Sequence, residues 1–123
     1  MTRRKILIVE DEVLVRCGLR SMVNWEKLGM DVIGDASNGK EALEIYEKEK
    51  PDIVMTDIKM PVMDGFEATR RIRTLSKTIP IIALTAFAFE REKEIAKQCE
   101  FTDYVVKPID IKELKKLIAK VLA

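Results

Sequence analysis

Short apolar runs alternate with longer amphipathic stretches five times along the chain, and this rhythm restricts the fold more than any other feature. The short runs are Lys5–Val9, Asp31–Ala36, Ile53–Thr56, Ile81–Leu84 and Tyr104–Val106. They have strand length, and most lack the apolar–polar alternation of a sheet with one wet face. The stretches between them carry apolar residues at helical spacing. Val13 to about Asn24 places Leu14, Cys17, Gly18 and Met22 roughly on one face. Ser37, Asn38 and Gly39 open a second helix, with Ala42, Leu43 and Tyr46 as its inner stripe and Pro51 as its stop. Gly65 to about Thr74 carries Phe66, Thr69, Ile72 and Arg73. Glu90–Gln98 is a fourth helix. The last, Ile111–Leu122, sets Leu114, Leu117, Ile118 and Val121 among Lys112, Lys115, Lys116 and Lys120. Strands buried on both faces need helical crossovers of right-handed sense. The expected fold class is therefore α/β: a (βα)5 doubly wound, five-stranded parallel sheet with helices on both faces, one domain spanning 1–123.

Charge narrows the function classes. The chain has 22 Lys plus Arg against 21 Asp plus Glu, which argues against a module that binds nucleic acid through a broad basic field. The apolar run behind the basic start ends at Glu10, too soon for a signal peptide, and no segment approaches membrane-spanning length. A cytoplasmic location is expected. With no histidine in the sequence, imidazole acid–base catalysis and imidazole metal sites are excluded on this chain, and a bound metal should be a hard one held by oxygen. Cys17 and Cys99 fall inside helical patterns and are expected as buried or half-buried small hydrophobes.

In an open parallel sheet, sites form beyond the carboxyl ends of the strands. Here those positions hold Glu10 and Asp11 after the first strand, Asp57 after the third, Thr85 after the fourth and Lys107 after the fifth. Taken singly, each acid is equally explained as a helix cap or a solvated loop residue, and Lys107 as a surface lysine. Together they place three carboxylates on one rim, where they raise one another's pKa unless a cation intervenes. Mg2+ suits such a set because it keeps several waters and favours phosphate. Lys107 precedes Pro108, and a turned or cis bond there aims the ammonium over the edge. The chemistry that uses these groups is phosphoryl transfer to a carboxylate: Asp57 attacks, while Mg2+, Lys107 and the Thr85 hydroxyl neutralise the phosphoryl oxygens.

At these residues the sequence resembles the receiver domains of response regulators in two-component signalling, the chemotaxis regulator among them. The matching segments are Ile6–Asp11, Met55–Gly65, Ala83–Ala86 and Asp103–Pro108, and together they span nearly the whole chain. The resemblance implies the strand order 2-1-3-4-5 and Asp57 as phosphoacceptor. It implies Mg2+ held by Glu10, Asp11, Asp57 and the backbone carbonyl of Lys59, and Lys107 as the phosphoryl-contacting lysine. Thr85 and Tyr104 would be the switch pair. The donor would be a phosphohistidine on a sensor histidine kinase or phosphotransfer protein. The readout would be the face of the fourth helix, fifth strand and fifth helix (Glu92, Glu94, Lys97, Lys112 and Lys116), which pairs with an effector domain or a second receiver. Direct nucleic-acid or membrane binding is not expected. Such a domain has weak enzymatic character, limited to self-phosphotransfer and autodephosphorylation, with no multiple turnover of an external substrate.

Two positions depart from the family pattern. Glu100 stands where glycine is usual, four residues before Tyr104, and Glu10 replaces the more usual aspartate. Neither Lys59 nor Phe87 offers a carboxylate or amide to orient a hydrolytic water, so slow autodephosphorylation is expected. A haloacid-dehalogenase-type phosphatase also uses Asp, Thr, Lys and Mg2+, but it wants a second Asp where this chain has Lys59. A flavodoxin-like cofactor binder would have a Ser/Thr/Gly-rich phosphate loop in place of Glu10, Asp11 and Glu12. A receiver-like module that has lost phosphorylation remains a further alternative.

Overall fold

The computed structural model describes residues 3–58, 60, 62–85, 100–107 and 109–122. Its elements run β1 (Arg4–Val9), α1 (Val13–Met22), β2 (Met30–Ala36), α2 (Gly39–Glu49), β3 (Ile53–Asp57), α3 (Gly65–Leu75), β4 (Ile81–Thr85), β5 (Asp103–Val106) and α4 (Ile111–Val121). The expected helix over Glu90–Gln98, with Cys99 after it, lies outside the described residues.

The five strands form one parallel sheet in the order β2-β1-β3-β4-β5, as the resemblance implied. Alternate side chains of the central strands serve opposite cores, which is why their sequences are continuously apolar. Ile6, Ile8, Met55, Ile82 and Leu84 pack with Leu19 of α1 and with Leu114 and Ile118 of α4. Leu7, Val9, Val54 and Ile81 pack with Ala42 of α2 and Ile72 of α3. Helices thus cover both faces. Three of them open on a side-chain cap: Asn38 accepts from the Glu41 amide, Asp64 from that of Glu67, and Asp110 from those of Lys112 and Glu113.

Helix α1 departs from expectation. It ends at Met22 rather than Asn24, because Val23 is extended and Asn24 uses its side chain to cap the Lys27 amide at 3.1 Å. The core-facing residues of α1 are Leu19 and Val15. Leu14 and Met22 are 88% and 69% exposed, and Cys17 is exposed too, not a buried or half-buried hydrophobe. Apolar residues sit on two sides of this helix, so spacing alone did not identify the side that packs.

Glu100 adopts a left-handed conformation, φ 63°, at the position where the family carries glycine. Its carbonyl accepts from Arg73 Nε at 3.0 Å and Nη2 at 2.8 Å. Arg73 also reaches the Ile79 carbonyl at 2.7 Å, so one guanidinium ties the end of α3 to the approaches of β4 and β5. A left-handed backbone is one that glycine adopts freely, and here the peptide of a glutamate is held in it by a fork of donors.

Candidate functional site

The carboxyl edge of the sheet gathers most of the expected groups. β1 ends into Glu10, whose amide donates to the Ala36 carbonyl of β2 at 2.9 Å and whose carbonyl accepts from Arg16 Nη1 at 2.7 Å. α1 therefore holds the turn that carries both acids. Arg16 also faces Asp35 at 3.6 Å, linking that turn to the end of β2. Asp57 closes β3. Its Oδ1 accepts from the Ile58 amide at 2.8 Å, and its carbonyl accepts from the Thr56 hydroxyl at 2.8 Å. Carboxylate oxygens of Glu10, Asp11 and Asp57 lie within 4.8 Å of one another.

Lys107 reaches this cluster from β5. Its Nζ stands 3.1 Å from both carboxylate oxygens of Glu10 and 3.3 Å from Asp57 Oδ2. The Lys107 amide donates to the Thr85 carbonyl at 2.7 Å, which ties the ends of β4 and β5 together. Thr85 is buried at this edge and Tyr104 is half-buried on β5. Lys59, Pro108 and Phe87 lie outside the described residues, so the expected carbonyl ligand, the turned X–Pro bond and the hydrolysis argument are not placed.

Two acids share one ammonium here, and the electrostatics follow from that count. Glu10 is fully buried, and burial, with the Asp57 charge adding to it, pushes its carboxyl up to about 7 against the opposing pull of Lys107. Asp57 is also raised, again chiefly by burial. Burial works against the Lys107 charge, but hydrogen bonding to Glu10 and the charge of Asp57 outweigh it, so the ammonium is held above its ordinary value. The donor set is all oxygen, carries excess negative charge and is only partly neutralised by protein. These features fit a small hard divalent cation. The Glu10 carboxylate stays within the cluster despite its extra methylene.

Sequence reasoning did not find Arg16, whose side chain acts on a carbonyl, or the contact of Gly39 with the Met63 carbonyl at 2.7 Å. Both are interactions with backbone, which residue types alone do not signal.

A doubly wound sheet of this order, with three acids and a lysine converging at its carboxyl edge, defines a class. The chain belongs to the response regulator receiver domain family, whose model matches residues 6–119. It is 35% identical over 122 residues to sporulation initiation phosphotransferase F of Bacillus subtilis, covering 99% of this chain and 96% of that one. It is 40% identical over 111 residues to the transcriptional regulatory protein PdtaR of Mycobacterium tuberculosis, covering 90% of this chain but 53% of that protein. Among solved structures it is similar to the receiver domain of sensor histidine kinase PA1611 from Pseudomonas aeruginosa, which has a magnesium ion coordinated in its active-site cleft. That match has a TM-score of 0.85 and 31% identity, and covers 98% of this chain and 99% of that one. This is a receiver domain of two-component signalling. No helix among the described residues is long and apolar enough to cross a membrane.

Proposed function

We propose that Asp57 accepts a phosphoryl group from a phosphohistidine of a sensor histidine kinase or phosphotransfer protein, in a Mg2+-dependent reaction in the cytoplasm. The observation that carries this reading is the convergence of Glu10, Asp11 and Asp57 within 4.8 Å, with Lys107 bridging two of them. An Asp57 carboxylate oxygen forms the new bond to phosphorus as the phosphorus–nitrogen bond breaks, and the electron pair stays on the imidazole nitrogen of the donor. The hydrogen bond from the Ile58 amide fixes Oδ1, which leaves Oδ2 to attack. Lys107, 3.3 Å from that oxygen, offers its ammonium to the charge of the incoming group. Glu10, Asp11 and Asp57, with the Lys59 carbonyl, would hold Mg2+. The ion supplies compensation for the negative charge that acids and phosphate bring together.

Thr85 and Tyr104 then report the modification: the hydroxyl turns toward the phosphoryl group and the ring moves behind it, shifting a two-state equilibrium. The readout face includes β5 and α4, where Lys112 and Lys116 are exposed, and an effector domain or a second receiver is its partner. The activity is stoichiometric self-phosphotransfer, without turnover of an external substrate, and 1–123 acts as one receiver unit.

Acetyl phosphate with Mg2+ should add one phosphoryl group per chain, seen by intact mass, and Asp57→Asn should add none. Sustained release of p-nitrophenol from p-nitrophenyl phosphate, or labelling that survives Asp57→Asn, would rule the proposal out.

A further inference from the structure

We propose that Gly39 is a positioning residue for the phosphoacceptor: its backbone, pressed against Met63, holds the entry to α3 in place, and through Gly65 the Ile58 peptide that aims Asp57. The inference deepens the reading of Asp57 as acceptor and rests on it.

Ile58 and Met63 are each held by the first residue of a helix. The opening N–H groups of a helix have no partner inside it. Gly65, which opens α3, donates its amide to the Ile58 carbonyl at 2.8 Å, and a Cβ there would sit 2.2 Å from the Asp57 carbonyl oxygen. Gly39, which opens α2, donates to the Met63 carbonyl at 2.7 Å. A Cβ on Gly39 would lie 2.6 Å from that oxygen and 2.8 Å from Met63 Cγ. The first contact belongs to the acceptor's own strand–helix unit, whereas the second comes from the neighbouring one.

Between the two grips Val62 has φ 69° while 79% exposed. A β-branched residue rarely adopts that conformation, and at an exposed position no burial of its own side chain compensates for it. That conformation is therefore held by something other than the packing of the Val62 side chain. Ile58 links the shape to the chemistry, since its amide holds Asp57 Oδ1 while its carbonyl receives Gly65. Moving Met63 away from α2 shifts the entry to α3, and with it the Gly65 amide that holds the peptide orienting the attacking carboxylate.

Gly39 also offers a test of sign. It begins a helix, so by helix propensity and unfolded-state entropy alone Gly39→Ala should raise stability. The contact with Met63 predicts the reverse. Gly18→Ala is the control, because the nearest atom to a Cβ there is Met22 Sδ at 3.8 Å and the methyl fits.

Wild type and both variants are melted without metal, then labelled with acetyl phosphate and saturating Mg2+ at a temperature where all are folded. Gly39→Ala should melt below wild type and label on the order of tenfold more slowly per folded molecule. Gly18→Ala should melt at or above wild type and label at the wild-type rate. Wild-type labelling by Gly39→Ala overturns the inference and leaves the acceptor reading intact. If wild type itself does not label, the reading fails and takes the inference with it. Should Gly39→Ala not fold, amide exchange in wild type decides, because a contact that aims Asp57 must itself be tightened when that site is filled. Beryllofluoride with Mg2+ should slow exchange of the Gly39 amide several-fold relative to that of Ala42 in the same helix. An unchanged ratio overturns the proposal.

Discussion

At the amino edge of the sheet Arg73 is buried with neutral partners, whereas at the carboxyl edge Glu10 and Asp57 are buried against each other and a shared lysine. The Arg73 guanidinium donates to the carbonyls of Glu100, Ile79 and Ser76 and reaches the Thr102 hydroxyl. Its charge is spread over dipoles already fixed by the fold. Burial disfavours charge at both edges, lowering the Arg73 guanidinium and raising the Glu10 and Asp57 carboxyls, but the two acids have one lysine and few fixed dipoles between them. One edge is satisfied by the protein alone. The other gathers more acid than its lysine offsets, an excess of negative charge that fits the proposed cation.

The largest effect should come from emptying the carboxyl edge of its acceptor, since Asp57→Asn should abolish labelling altogether. Next is Arg73→Met, which strands buried carbonyls and should cost about 3 kcal/mol, lowering the melting temperature by roughly 10 °C. Labelling per folded molecule at low temperature should persist, which separates the two edges. A loss of stability no greater than that of an exposed arginine would erase the contrast.

Glu10→Gln sharpens the comparison from the other side. It leaves one buried acid for one lysine, so in chelator it should stabilise the chain by about 1–2 kcal/mol while weakening Mg2+ binding in titration calorimetry. Wild type should also carry a steeper pH dependence than this variant, which keeps only the contribution of Asp57. The folded Glu10 carboxyl sits at about 7, against an ordinary value of 4.5. Between those values the folded chain binds more protons than the unfolded one, so metal-free stability falls as pH rises through that window. Chemical denaturation of both proteins from pH 4.5 to 7 checks the slope. Thr69 is the intermediate case, a fully buried hydroxyl on α3 with no hydrogen-bond partner among the described residues. Thr69→Val should gain about 1 kcal/mol in thermal melts and leave labelling unchanged.

These two edges were not equally legible in the sequence. The strands could be read to within a residue or so because continuous apolar runs report burial on both faces, and the acids at their ends could be placed by topology. Arg73 read only as one more helical position, since nothing in its identity says that its partners are carbonyls of distant loops. Leu14 and Met22 misled in the opposite sense: their spacing is that of a packing stripe, yet Leu19 and Val15 do the packing. Glu100 was visible as a departure from the family pattern, but its left-handed backbone and the fork holding it required the fold.

The bridge from Lys107 to Glu10 joins residues 97 positions apart. During synthesis the acidic turn emerges before its lysine, with β2, β3 and β4 between them. The acids therefore lack this ammonium until β5 docks. On the proposed reading of Asp57, a chain whose β5 has not docked lacks the ammonium that meets the incoming group, so the charge bridge ties competence to a complete sheet.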